Sequence, residues 1–205
     1  MYLMSKKNMF YNKSKNPFQN YYYNSNELSS IGFKKVGSNV HISKNCTIVG
    51  LNNISIGNNV RIDGNVVMIA DEGFLSINNC VHIGANSYLS SSGGITIKDF
   101  VSISPGTYFF SASDDYNGSG LTGPMVPKEL LSVTRSPIIL EKHSLIGSGS
   151  RILPGVKVGE GVSVAALSVV NKSLDPWSLY GGIPAKKIRS KEKRALELEK
   201  KIMNS

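Results

Sequence analysis

Leu140-Glu-Lys-His-Ser144-Leu, Ile146-Gly-Ser-Gly-Ser150-Arg, Ile152-Leu-Pro-Gly-Val156-Lys, Val158-Gly-Glu-Gly-Val162-Ser and Val164-Ala-Ala-Leu-Ser168-Val follow one another closely, and each six-residue unit obeys one rule. An aliphatic residue stands first, a small or turn-forming pair falls at positions two to four, and a small or β-branched residue stands fifth. The rule extends towards the N-terminus. Val36-Gly-Ser-Asn-Val40-His and Ile42-Ser-Lys-Asn-Cys46-Thr open the series, and after a slip at Leu51 to Asn53 it resumes at Ile56-Gly-Asn-Asn-Val60-Arg and Ile62-Asp-Gly-Asn-Val66-Val. A middle run reads Ile77-Asn-Asn-Cys-Val81-His, Ile83-Gly-Ala-Asn-Ser87-Tyr, Ile97-Lys-Asp-Phe-Val101-Ser and Ile103-Ser-Pro-Gly-Thr107-Tyr.

An apolar residue that returns at every sixth position fits neither a 3.6-residue helix nor a long alternating strand. A short strand, a tight corner and a second short strand produce it. Three such units close a triangular coil in which position one fills the axis and position five packs beside it. Gly, Asn and Asp accept the dihedral angles of the corners. Stacked coils share one continuous core, so stability accumulates through contacts between neighbours.

The repeats, together with Ile152-Leu-Pro-Gly-Val156, Ala166-Leu-Ser168-Val-Val170-Asn-Lys172 and Gly181-Gly-Ile-Pro184-Ala-Lys186-Lys-Ile-Arg189, resemble the hexapeptide-repeat acyltransferases. The branch in question includes maltose and galactoside O-acetyltransferases and the acetyltransferases of surface-polysaccharide clusters. The resemblance spans roughly residues 36–190. It implies an all-β fold, a left-handed parallel β-helix with a long inserted loop and a short C-terminal helix. It also implies acetyl-CoA as cosubstrate and a homotrimer with active sites between subunits. The expected organisation is a basic Tyr- and Asn-rich segment over 1–35, a β-helix over 36–180 carrying an active-site loop at 111–137, and a CoA-proximal segment with a helix over 181–205.

The formal net charge of +9 raises the question of a polyanionic partner. It resides at the ends. Residues 1–35 carry six lysines against Glu27, residues 186–201 carry eight basic residues against three glutamates, and residues 36–185 hold nine basic against ten acidic. A body so close to neutral is a poor surface for nucleic acid. No run approaches the length of a membrane span, and the N-terminal stretch has no apolar core of a signal peptide. Cys46 and Cys80 form no CxxC pattern, which suggests neither a zinc site nor a disulfide framework and places the chain in a reducing cytoplasm.

The largest interruption of the repeat runs from Ser111 to Pro137 and is rich in Gly, Pro and polar residues. It is too long for a corner and too polar for a core, so it reads as a binding or catalytic loop. The resemblance places Asp114 where relatives commonly carry a catalytic His. A carboxylate with an ordinary pKa near 4 is a weak base for a sugar hydroxyl, whereas a neutral imidazole suits that task. His143, in the corner of the unit that follows the loop, is the expected general base, with Asp114 or Asp115 orienting its ring. The other reading is that the adjacent Asp114, Asp115 and Tyr116 only hydrogen-bond the acceptor sugar. His41 and His82 occupy outward-facing places in early coils and read as structural. Asp115, Tyr116 and Asn117 suit a polyhydroxylated acceptor.

Beyond the coils, Ser190 reads as an N-cap of a helix from about Lys191 to Met203 that covers the open last coil. The resemblance assigns Lys186, Lys187 and Arg189 to the phosphates of CoA, and Ser148, Ala166, Asn171 and Lys172 to the pantetheine channel. No phosphate loop, HExxH or GxSxG motif competes. The expected activity is transfer of an acetyl group from acetyl-CoA to a sugar hydroxyl, on a surface polysaccharide or a nucleotide-sugar precursor, by direct attack and without a metal. The alternatives are an N-acyltransferase acting on a nucleotide-linked amino sugar and, from another class, a non-catalytic β-helix. A metal protein of the carbonic-anhydrase kind would need clustered histidines, which the three at 41, 82 and 143 do not supply.

Overall fold

Each repeat unit contributes one short strand, and successive strands turn through three faces of a left-handed parallel β-helix. A computed structural model describes residues 21–203; Lys6, Lys7, Lys13 and Lys15 of the basic N-terminal segment lie outside the described residues. The first face stacks six strands, among them Lys35–Val36, Ile54–Ile56, Ile95–Ile97 and Ile138–Leu140. The third face also stacks six, from Thr47–Val49 through Tyr108–Phe110 to Val169–Val170. Between them the second face has nine strands. Register is in phase from coil to coil: Val40 aligns with Val60, Ile62 with Ile83 and Ile103 with Ile146, all in parallel.

The rule of six explains the core. Ile42, Ile62, Ile83, Ile103, Ile146 and Val164 at position one are buried on the axis, with Val40, Val60, Val81, Val101 and Val162 of position five beside them. At Ser87, Thr107 and Ser168 the position-five hydroxyl bonds the carbonyl three residues back, whereas Ser150 donates to Ala165 O of the next coil at 3.1 Å. Ser87 donates to Gly84 O, Thr107 to Ser104 O and Ser168 to Ala165 O at 2.7–2.8 Å. The buried hydroxyl is thereby satisfied and the corner is tied.

Corners between the first and second faces place one residue in left-handed backbone: Asn39, Asn59, Cys80, Phe100, His143 and Trp177 have φ between 53° and 60°. Such a conformation costs about 1–2 kcal/mol for a residue with a bulky side chain. Phe100 and His143 offset it by stacking at 5.2 Å, and Trp177 adds a tilted contact with His143 at 6.3 Å. Gly161 in the intervening coil makes this possible, because a Cβ there would run into the Trp177 ring.

Both ends of the second face carry an antiparallel strand. Tyr22–Asn24 pairs with Val40–Ser43, and the following helix, Ser25–Ser29, closes with a capping box between Asn24 and Glu27 and buries Leu28 against the first coil. Tyr22 also donates its hydroxyl to Asp63 at 3.1 Å, where Arg61 and His82 bond the same carboxylate at 2.7 and 2.8 Å. Burial alone would raise the Asp63 carboxyl; the bonds from His82 and Arg61 outweigh it and hold it below the usual carboxylate range. A depressed carboxylate stabilises the fold above its unfolded pKa and loses that contribution as pH falls through the folded one. Asp63→Asn is therefore expected to cost roughly 1–2 kcal/mol at pH 7 and less at pH 3, measured by thermal denaturation at both values. An equal loss at both would show that the charge is irrelevant.

The C-terminal segment corrects the expectation drawn from sequence. Lys186–Ser190 is a strand that returns antiparallel along Ser178–Gly181, so Ser190 ends a strand instead of capping a helix. The helix, Arg194–Met203, starts later and runs beside the corner of preceding coils, where Glu199 accepts from Lys142 and His143 at 2.8 Å each. The last rung of the second face is therefore covered by the strand and not by the helix. No helix among the described residues is long and apolar enough to cross a membrane.

Candidate active site

The corner between the second and third faces is built from small residues. Ser104, Gly147, Ala165 and Gly181 follow the second-face strands in successive coils, with Pro105, Ser148, Ala166 and Gly182 next to them. Gly147 has no space for a side chain, since a Cβ would lie 2.5 Å from Ala166 N. The result is a shallow strip of backbone along the prism, bordered by the exposed Leu167 and Ile183. Ser148 and Ala166, expected in one pantetheine channel, share this corner. Asn171 and Lys172 do not: they follow Val169–Val170 and lie at the corner between the third and first faces. Lys186 pairs with Gly181 at the top of the Ser104 corner, and the strand then carries Lys187 and Arg189 back across the second face. All three cations are exposed.

The long loop leaves the third face after Tyr108–Phe110. Ala112–Ser113 and Thr134–Arg135 pair antiparallel at its base, and Asp114 follows immediately. The loop folds back over an earlier coil, where Glu72 accepts from Arg135 Nη2 at 2.8 Å and from Lys128 Nζ at 3.1 Å. Those bonds hold the Glu72 carboxyl below its usual range, Lys128 contributing most. Between loop and coil lies a cleft of about 470 Å³, with Asp71, Glu72, Asp114, Leu131, Lys128 and Arg135 among its lining residues.

Asp115, expected to orient a catalytic His or bind the acceptor, is engaged elsewhere. Its carboxylate accepts from Asn117 N at 2.9 Å and from the backbone N–H and hydroxyl of Ser119, and these bonds, Asn117 first, lower its pKa. Asn117 serves the same turn, and Tyr116 is 93% exposed.

His143 is placed far from this cleft in the plan of the fold. It sits at the first–second corner, its side chain 7% exposed, between Phe100 and Trp177 and bonded through Nε2 to Glu199. Within one chain the expected pairing of His143 with Asp114 or Asp115 is not formed. The reason is topological, because Asp114 leaves from the third–first corner. Of the other histidines, His82 is bound to Asp63 and His41 lies 3.0 Å from Asn39 Oδ1. Among the described residues no group of three or more His, Cys, Asp or Glu could hold a metal ion.

Sequence reasoning passed over one residue that lines the cleft. Glu72 stands in Ala70-Asp-Glu-Gly73, between the strands of one coil, and its partners are 56 and 63 residues away, so no local pattern marks it.

Known proteins share this architecture. A family model described as the hexapeptide repeat of succinyl-transferase matches residues 137–172. The dTDP-4-amino-4,6-dideoxy-D-glucose acyltransferase of Escherichia coli is 40% identical over 173 residues, covering 84% of this chain and 90% of that one. The N-acyltransferase AntD of Bacillus cereus, solved with dTDP and 3-hydroxybutyryl-CoA, is 43% identical with a TM-score of 0.85, covering 91% of this chain and 100% of that one. Variants of AntD at one serine, solved with dTDP-4-amino-4,6-dideoxyglucose and coenzyme A, and at an aspartate ten positions further on, solved with dTDP and coenzyme A, match at 41% identity with TM-scores of 0.86 and 0.85. Each covers 90% of this chain and 98% of that one.

Proposed function

The chain belongs to the hexapeptide-repeat acyltransferases, and from that premise we propose that it transfers an acyl group from a CoA thioester to the amino group of a dTDP-linked 4-amino-deoxy sugar. The observation that carries the reading is the identity of the residue at the root of the long loop. Asp114 stands at the cleft, whereas the imidazole a hydroxyl acceptor would call for is bound to Glu199 at another corner. A neutral amine is already nucleophilic. After it attacks the thioester carbonyl, its nitrogen carries an acidic proton that a carboxylate can accept, so the weak base that suits a hydroxyl poorly suffices here.

Asp114 takes that proton. The oxyanion of the tetrahedral intermediate meets a backbone N–H of the small-residue strip, the carbon–sulfur bond breaks, the CoA thiolate leaves and takes a proton from solvent, and Asp114 returns its proton to solvent. No acyl-enzyme is required. Acetyl-CoA, or a longer acyl-CoA, lies along the strip past Ser104, Ser148 and Ala166, with its phosphates towards Lys186, Lys187 and Arg189.

Two residues support a site shared between subunits. Ser104 and Asp114 are the only serine and aspartate ten positions apart in this chain, the spacing of the AntD variants. They flank opposite ends of the strand Tyr108–Phe110, and Thr107 and Ser111 alone are roughly 13 Å apart at 3.3 Å per residue. One amino group cannot reach both within a protomer. A homotrimer that brings the Ser104 corner of one subunit to the Asp114 cleft of the next resolves this, with Asn171 and Lys172 facing the CoA of a neighbour.

The test is direct. With acetyl-CoA and dTDP-4-amino-4,6-dideoxyglucose, release of free thiol and formation of the N-acetyl product are expected. Thiol release with a hydroxyl sugar but none with the amino-sugar nucleotide would overturn the reading in favour of O-acetylation.

A further inference from the structure

The cleft that holds Asp114 also holds the two cations of the long loop, and both are spent on one exposed carboxylate. Ion pairs as exposed as Lys128–Glu72 and Arg135–Glu72 do little for stability, so the fold gains little from drawing two cations onto Glu72. The body of the chain has only nine basic residues, and these are the two within the loop. A cleft of about 470 Å³ is in the size range of small-molecule sites, and it offers a carboxylate and a cation pair on the same walls.

We propose that Lys128 and Arg135 form the subsite for the diphosphate of the acceptor, and that Glu72 is the counter-ion which the diphosphate displaces. This rests on the function proposed above, and it explains why an acceptor there is nucleotide-linked: a neutral sugar offers these cations nothing. The bond to Glu72 uses one of the five N–H donors of the Arg135 fork, and a guanidinium–phosphate contact can be bidentate. Lys128 supplies a mobile point charge beside it. Asp71 accepts from Glu72 N at 2.9 Å and stays with its own turn. With Asp71, Glu72 and Asp114 against Lys128 and Arg135, the cleft carries one negative charge in excess. Glu72 therefore competes with the ligand, and its removal has a predicted sign.

Binding of dTDP and of acetyl-CoA, each followed by calorimetry or thermal shift on the full chain, tests the assignment. Arg135→Ala is expected to raise the dissociation constant for dTDP roughly tenfold or more, and Lys128→Ala to raise it by a smaller factor. Arg135→Lys should recover part of the loss. Binding of acetyl-CoA should be unchanged in all three, which also shows that the variants are folded. Glu72→Gln should lower the dissociation constant for dTDP. If the wild type acylates the amino-sugar nucleotide while Arg135→Ala and Lys128→Ala bind dTDP as the wild type does, the subsite is wrong and the function stands. If Glu72→Gln weakens dTDP binding as the alanine variants do, Glu72 positions the cations and its role as displaced counter-ion is wrong. A wild type that binds no dTDP overturns both.

Discussion

Asp114→Asn is expected to reduce turnover of the amino-sugar nucleotide by about 10²–10⁴-fold, the usual contribution of a positioned general base. The change keeps size and hydrogen-bonding capacity and removes only the ability to take a proton. Asp114 is exposed at the root of the loop, so the fold and acetyl-CoA binding should be unaffected. The companion variant, His143→Gln, should keep turnover within about tenfold and lower stability instead, because it breaks the stack between Phe100 and Trp177 and the bond to Glu199. In the wild type the rate should rise with pH as the acceptor amine loses its proton, without a break that vanishes in the His143 variant. Normal turnover in Asp114→Asn together with collapse in His143→Gln would assign the base to His143 of an adjoining subunit.

Phe109→Ala carries the largest expected structural effect. Phe109 is fully buried in the strand that separates the Ser104 turn from the start of the loop, and it pairs with Leu89 below and Ile152 above. Truncation of a buried Phe costs about 3–5 kcal/mol. For a domain of this length that is a fall of roughly 6–20 °C in melting temperature. Phe109→Leu should lose less than half as much. Because each coil contacts only its neighbours, protection from hydrogen exchange should drop first in the coils holding Leu89, Phe109 and Ile152. A melting temperature within a degree or two of wild type would mean that the coil collapses to fill the space.

The repeat made the fold legible because its signal is local and periodic. Ile42 and Ile146 are more than a hundred residues apart, yet the same six-residue rule places both on the axis. The site was legible in part. The long loop, with Asp114 at its root against the cleft, is marked by an interruption of the rule, which is also local. The surroundings of His143 were not legible, because it bonds Glu199, 56 residues later on a helix whose docking no periodicity encodes. Its left-handed corner also looked unremarkable, since a corner that accepts Asn39 and Asn59 gives no hint that Phe100 and Trp177 will stack on its occupant. The Lys128–Glu72–Arg135 cluster escaped for the same reason, as its members are brought together only by the fold of the loop.

The strands Tyr22–Asn24 and Lys186–Ser190 run against the grain at the two ends of the second face. A parallel stack has no intrinsic last rung, and its terminal rungs present unpaired N–H and C=O groups to any similar strand. On the second face a reversed strand fills those groups with the wrong polarity for continuing the stack, so that face is not extended in register by a second copy. A variant lacking either strand is therefore expected to form fibres seeded from that end, even with every catalytic group intact.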